Sequence, residues 1–486
     1  MTEPREALRR IVIAGAGQLG VLAAIALKRA LPSAEVVVLG IPIDPGALAD
    51  RAATALPFTN RLHDRLGIDE LALVAKAGAS HRLITRYVGW GGPGQQAAVP
   101  YSTGTEPAMA SRFAREWGGG RQGASMVASP TSPAQALAEA GRFAVIPPGE
   151  AGPLAEIDYA LRWNPQAYRD LLIAIAQQLG VSYLPGNLLG VEPDGHGGIA
   201  SVSLTGTEPI AADLFVDCSG PSAALLSTLP DFETLDWSNN LPVRKLILSR
   251  PGRPLVALED RVTLLPEGWR YELAGRDGLQ VTLGIAPGAA EEVALRALGA
   301  PPLIAFDLEP GRCIDPWIGN VLALGDASAR FEPVAALNLD LAHRQLDLLI
   351  EMLPGRRIEP LERIEYNRRA SLMMDAVRDT LALHYIAPAA AVQFGPIALS
   401  DDVERLRDQY ERRGRTIFRE EAPFSNSVMT NLLIALGFCP GVPPQEKTQN
   451  TQAAVSALNA KVQSALAFAP QYTSWLEGVL ANLARA

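Results

Sequence analysis

Three glycines near the N-terminus, Gly15, Gly17 and Gly20, have the spacing that cradles a phosphate. In such a turn the first glycine permits the tight bend and the second leaves a bare face for a pyrophosphate to approach. The third lets helix and strand pack closely. The phosphate then sits on the exposed N–H groups of the helix N-terminus. A second signal lies far along the chain, where the apolar run Val321 to Leu324 ends in Gly325-Asp326-Ala327. In flavin dinucleotide proteins of this architecture a late Gly-Asp places its carboxylate on the ribityl chain; on its own, the aspartate reads as a helix N-cap. Taken with the glycine turn it favours FAD over NAD. One group is missing. The second strand, Val36-Val37-Val38-Leu39-Gly40, ends without the carboxylate that accepts from the ribose hydroxyls, and Asp44 lies beyond a proline. Losing such a charge-assisted hydrogen bond costs about 1.5–3 kcal/mol, so FAD binding is expected to be weakened rather than abolished.

These residues need elements to hold them. Ile11 to Ala14 reads as a strand, Val21 to Ala30 as a helix and Glu35 to Leu39 as a second strand, which is a βαβ opening. The stretch from Gly89 to Gly123 is glycine-rich and reads as an irregular excursion. Helical spacing returns from Tyr168 to Leu179. Short strands with turns at Pro193-Asp194-Gly195 and Thr205-Gly206 then lead to the apolar strand Leu214 to Val216. More strand-like runs fill residues 240–290. Helical patterns follow at Asp340 to Met352, Arg363 to Tyr385, Asp401 to Arg413 and Gln452 to Leu480, with a connector at Pro440 to Pro444. The expected class is α/β: a Rossmann-like FAD-binding module with added β-sheet over residues 1–340, and a helical region over 341–486. The module would carry a substrate-side insertion over about residues 50–125.

Composition narrows the function. The chain has 486 residues, 48% hydrophobic and 20% charged, as expected of a folded protein of two or three domains. A net charge of −9 without a sustained basic stripe argues against nucleic acid. Arg412, Arg413 and Arg415 lie beside Asp408 and Glu411 and read as a solvated helical face. Cys218, Cys313 and Cys439 have no paired spacing, so neither a disulfide framework nor a metal site is expected. The polar segment Met1 to Arg10 does not resemble a signal peptide, and no run reaches the roughly 18 apolar residues of a membrane span. A cytoplasmic location is expected.

Longer blocks bring a resemblance. Phe215-Val216-Asp217-Cys218-Ser219-Gly220 is similar to the Asp-Cys-Ser-Gly strand end of the flavin-dependent tryptophan halogenases. Trp317-Ile318-Gly319-Asn320, running on to Gly325-Asp326-Ala327-Ser328-Ala329-Arg330-Phe331-Glu332-Pro333, resembles that family's second long block. Arg378-Asp379 with His384-Tyr385 resembles its helical signature; Leu66-Gly67-Ile68-Asp69-Glu70 and Trp90 match its early substrate-side segment. The blocks fall in the family's order over most of residues 10–445. The resemblance implies a box-shaped FAD module bearing a helical pyramid. It also implies reduced FAD supplied by a separate reductase, and hypohalous acid that reaches an aromatic substrate through a tunnel. A lysine relays or orients the oxidant, and a glutamate removes the ring proton. Asp217 reads evenly as a flavin contact or a cap.

This chain departs from the family where the chemistry is done. The relay lysine belongs eight residues before Trp90, and that position holds Arg82. An arginine stays protonated and cannot form a chloramine, though it can orient hypochlorous acid by hydrogen bonding. The family's Glu-Ser-Thr-Gly, with its base and halide loop, reads Ala335-Ala336-Leu337-Asn338. Its flavin-strap segment reads Ala52-Ala53-Thr54-Ala55-Leu56-Pro57, without the glutamate. The tryptophans of its substrate side become Trp269 and Tyr271, while Arg276 and Gly278 still match. Losing a proton-transfer group costs about 10²–10⁴-fold, so efficient chlorination is not expected. Three readings stay open. One is a halogenase-family flavoprotein acting on an electron-rich aromatic, oxygenating or halogenating it. Another is a non-catalytic descendant that binds a ligand or partner. The last is a flavin oxidoreductase with a captive FAD. A homodimer is compatible with each.

Overall fold

The computed structural model describes residues 6–118, 131–147, 149–417, 419–443 and 451–485. The expected excursion beyond residue 118, Pro444 of the connector, and Met1 to Arg5 lie outside the described residues. By its contacts the chain divides into two units interleaved along the sequence. One comprises residues 1–78, 163–239 and 306–378; the other comprises 79–162, 240–305 and 379–486.

The first unit is built on a six-stranded sheet. Strand β1 (Arg10–Ala14) is followed by helix α1 (Gln18–Ala30), strand β2 (Glu35–Gly40) and the short helical turn α2 (Leu48–Arg51). Helices α3 (Phe58–Arg65) and α4 (Pro165–Gln178) come next, then strands β3 (Ser182–Pro185), β4 (Leu214–Asp217) and β5 (Val321–Ala323), and helix α5 (Leu337–Glu351). The sheet order is Trp317–Ile318, β5, β4, β1, β2, β3. All pairings are parallel except the antiparallel edge Trp317–Ile318. Strand β1 is central, with Ile11 paired to Leu214 on one side and Val36 on the other. Its Ile11, Val12, Ile13 and Ala14 are wholly buried, as a parallel strand covered on both faces requires. Helix α1 packs on α4 and α5.

A seven-stranded sheet, in the second unit apart from the last two residues of its first edge strand, runs in the order Pro302–Asp307, Lys245–Ser249, Gln280–Ile285, Gly268–Leu273, Glu259–Leu265, Ile84–Val88, Gln96–Pro100. Thus the glycine-rich stretch read as irregular contains the strand Gln96–Pro100 and the helix Pro107–Gly118. Helix Asp401–Arg413 follows its sequence signals closely. Ser400 caps it by accepting the Val403 N–H, acids fill its first turn, Arg412 and Arg413 its last, and Gly414 ends it left-handed. The segment expected as one helix from Gln452 to Leu480 is two, Thr451–Phe468 and Tyr472–Leu483. Pro470 lies in the break, where it can neither donate a helical hydrogen bond nor accommodate the preceding turn. Among the described residues, no helix is long and apolar enough to cross a membrane.

Candidate dinucleotide site

The glycine turn joins β1 to α1. Gly15 takes a φ of +112°, and a Cβ there would lie 2.3 Å from the Cys218 carbonyl oxygen. A Cβ on Gly20 would lie 2.0 Å from the Gly15 carbonyl oxygen, so the third glycine is what lets α1 start this close to the strand. Gly17 stands at the N-cap of α1 with an extended backbone. Its bare face is already taken. An ideal Cβ on Gly17 would fall 2.0–2.1 Å from the Asp50 carboxylate, and Asp50 Oδ1 accepts the Leu19 N–H at 3.0 Å. The protein's own anion therefore sits on the open end of α1, in the approach that the second glycine provides.

Other bonds fasten α2 in this place. Gln18 Nε2 donates to the Ala49 carbonyl at 2.7 Å and the Ala52 carbonyl at 2.8 Å, and its Oε1 accepts from Trp163 Nε1 at 3.1 Å. Asp326 Oδ2 accepts the Ala49 N–H at 2.7 Å, with the Leu48 N–H also directed to this carboxylate. Gly325 donates its N–H to Gln345 Oε1 at 3.0 Å. Arg169 Nε donates to the Ala16 carbonyl. Asp326 is thus turned to the backbone of α2, and Asp50, carried by α2, to the backbone of α1.

Both carboxylates are held in an unfavourable setting. Burial pushes Asp50 up to about 6, against the opposing pull of the Leu19 N–H, Arg169 and Arg51. Asp50 is partly exposed as a residue, but its carboxylate head is the part that is enclosed. Burial also pushes Asp326 up to about 7, aided by the charge of Asp50. Between about pH 4, near the ordinary carboxylate value, and pH 7 the folded chain holds more protons than the unfolded one. Stability from these groups is therefore greatest at low pH and falls as pH rises. Asp50→Asn keeps an oxygen for Leu19 and removes the charge. Its thermal midpoint relative to the unaltered chain is expected to be higher at pH 8 than at pH 5; equal differences at both pH values would mean that the carboxylate is solvated.

The remaining acids of this region are spent locally. Asp217 accepts from the Ser219 N–H (3.0 Å) and hydroxyl (2.6 Å) and from the Leu225 and Leu226 N–H groups (2.8 and 2.9 Å), which is the geometry of a cap. Asp44 accepts the Gly46 N–H at 2.7 Å. Cys218 is buried, and burial with Asp50 and Asp217 nearby raises its thiol well above the usual range, so it is no nucleophile. Ala335 and Ala336 both adopt left-handed conformations, with φ of 58° and 61°, and are buried. His343 is also buried, with Nδ1 2.8 Å from the Thr59 hydroxyl; burial, reinforced by His63, lowers its pKa and keeps it neutral.

In the second unit Arg82, on the strand Ser80–Arg82, is 2% exposed. Its Nη1 lies 2.5 Å from Asp260 Oδ2 and its guanidinium stacks 5.2 Å from the Tyr101 ring centre. Asp260 also accepts from the Thr85 hydroxyl at 3.1 Å and from the Tyr271 hydroxyl. Burial opposes the Arg82 charge, but Asp260 and the neighbouring tyrosines outweigh it and hold the guanidinium above its ordinary pKa. Trp90 donates Nε1 to the Val262 carbonyl at 3.1 Å, and Trp269 to the Tyr385 hydroxyl at 3.1 Å. His384 lies 3.0 Å from the Tyr87 hydroxyl and is lowered to about 4 by burial. Trp90, Trp269, Tyr271, His384 and Tyr385 are all buried.

A flavin dinucleotide needs the bare face of Gly17 and the first N–H groups of α1 for its pyrophosphate. With Asp50 seated there, the residues present do not fit that group in this arrangement. Sequence reading singled out Asp326 and the glycines but missed Asp50 and Asp260. An acid between the second strand and the Ala52–Pro57 segment, six residues after Asp44, was the only available signal for Asp50. Among the described residues, no cluster of three or more His, Cys, Asp or Glu could hold a metal.

Comparison with known proteins agrees on lineage. The tryptophan halogenase family model matches residues 10–453. Tryptophan 7-halogenase RebH of Lentzea aerocolonigenes is 24% identical over 92% of this chain and 93% of its own length. The same fold is seen in BrvH, a flavin-dependent halogenase from Brevundimonas sp. BAL3, at a TM-score of 0.84 and 22% identity, covering 98% of this chain and 100% of that one. SttH, a tryptophan 6-halogenase from Streptomyces toxytricini, superposes at a TM-score of 0.84 and 18% identity, over 96% and 99% of the two chains. With a family match running through the glycine turn, the Asp-Cys-Ser-Gly strand end and the helical signature, this chain belongs to the tryptophan halogenase family.

Proposed function

We propose that this chain keeps the halogenase frame as a binding protein for an electron-rich aromatic ligand or a partner, and does not halogenate. The observation that carries this reading is the buried Arg82–Asp260 ion pair. At the position where the family places its relay lysine stands a cation that cannot release a proton and is already committed to a carboxylate. Ala335 and Ala336, at the positions of the glutamate and serine, offer only methyl groups to any chemistry. Family membership implies FAD, and on this reading the chain's affinity for it is weak and a flavin reductase is not needed for its role. A cytoplasmic setting belongs to the same reading.

The test is incubation of the purified chain with FAD, a flavin reductase, NADH, oxygen, bromide and tryptophan or another electron-rich arene. Product is expected not to exceed that formed by free hypohalite. Bromination at a single ring position, detected by mass spectrometry in stoichiometric yield, would refute the proposal. A second reading, a flavin monooxygenase without halogenation, is favoured by one feature: the glycine turn keeps its shape at Gly15 and Gly20. Purified protein that retains flavin absorbance through gel filtration would favour that reading.

A further inference from the structure

We infer that Asp50 is an internal anion occupying the pyrophosphate seat, and that this side chain, rather than any defect of the glycine turn, keeps a flavin dinucleotide out. Three observations converge on it. The turn itself is intact: Gly15 is left-handed, Gly17 has no side chain, and Gly20 allows close packing of α1. The void that a missing Gly17 side chain leaves is filled by the Asp50 carboxylate, within 2.1 Å of where that Cβ would stand. And the carboxylate uses the Leu19 N–H, one of the α1 donors on which a phosphate oxygen would rest.

The seat is charge-selective by construction. The partial positive charge at the start of a thirteen-residue helix attracts an anion, and Asp50 supplies one covalently tethered at high effective concentration. An incoming pyrophosphate must expel it, while Asp326, accepting the Ala49 N–H, helps to hold the α2 turn that carries Asp50. A tethered negative side chain therefore opposes a doubly negative ligand. Arg169 and Arg51 are the cations that face Asp50, and neither makes an ion pair with it. Repulsion and occupancy act together to exclude the dinucleotide, while a neutral or cationic ligand would not be repelled in this way.

This assignment goes beyond the loss of halogenation, and its test reads binding alone. Oxidised and reduced FAD are titrated into the full chain and into Asp50→Ala and Asp50→Asn, following flavin absorbance and fluorescence, with ADP as a pyrophosphate-bearing probe without the flavin. Removing a competing charge-assisted hydrogen bond is expected to tighten FAD and ADP at least about tenfold in Asp50→Ala. In Asp50→Asn the gain is smaller, about threefold, because the amide oxygen still occupies the Leu19 N–H. Asp50→Asn changes no packing volume, so it keeps the test open if the alanine variant fails to fold. Affinity unchanged in both folded variants overturns the assignment, whether the unaltered chain binds FAD tightly or not at all. Tightening of FAD without bromination leaves both proposals standing, and bromination by the unaltered chain removes the proposed function whatever the titrations give.

Discussion

Asp260→Ala is expected to destabilise the chain by about 3–5 kcal/mol, because it strands a buried guanidinium. Arg82 and Asp260 have side-chain exposures of 3% and 1%, so neither charge can turn to water. The arginine cannot shed its proton to escape, as a lysine at that position could. Thr85 and Tyr271 would lose their acceptor as well. A buried ion pair is weak evidence of net stability, since two apolar residues of similar volume often do as well. The double change Arg82→Met with Asp260→Leu is therefore expected to recover most of the loss. Urea midpoints of the three variants give the comparison. Were Asp260→Ala to fall within about 1 kcal/mol of the unaltered chain, the pair would have to be wetter than its burial indicates, and the relay position would be open to chemistry after all.

The contrast between Arg82 and the glycine turn explains which parts of this protein the sequence could show. The β1–α1–β2 opening was legible because it is written locally: an apolar run, three glycines at fixed spacing and a helix pattern lie within thirty residues. The C-terminal helices were legible through their caps and their 3.6-residue period, apart from the break at Pro470. The strand Gln96–Pro100 was hidden because its pairing with Ile84–Val88, rather than its own composition, makes it a strand. Residues 341–486 read along the chain as a separate helical region, but the contacts divide the fold at residues 378–379, inside the helix Pro360–Tyr385. No periodicity marks that. The site was least legible. Asp50 meets Leu19 across 31 positions and Asp260 meets Arg82 across 178. Nothing in the identity of a single aspartate announces which backbone N–H or guanidinium it will find.

Gly20→Ala is expected to cost at least about 3 kcal/mol or to prevent folding, whereas Gly17→Ala is expected to cost only about 1–3 kcal/mol. The difference lies in what each new methyl would strike. At Gly20 it meets the Gly15 carbonyl at 2.0 Å, backbone against backbone, and relief requires α1 to leave the strand that positions it. At Gly17 it meets the Asp50 carboxylate, which can swing away by giving up the Leu19 N–H. Removing Asp50 first should therefore rescue the second change and not the first. In an Asp50→Ala background Gly17→Ala is expected to be close to neutral, and Gly20→Ala as costly as before. The double-mutant cycle from denaturation midpoints then yields a coupling of about 1–3 kcal/mol between Gly17 and Asp50 and none between Gly20 and Asp50. Additivity at Gly17 would place the carboxylate elsewhere in solution and leave the turn open to a phosphate. Coupling would separate the two roles of one motif: Gly20 serves the packing of helix on sheet whatever is bound, and Gly17 serves whichever anion takes the seat.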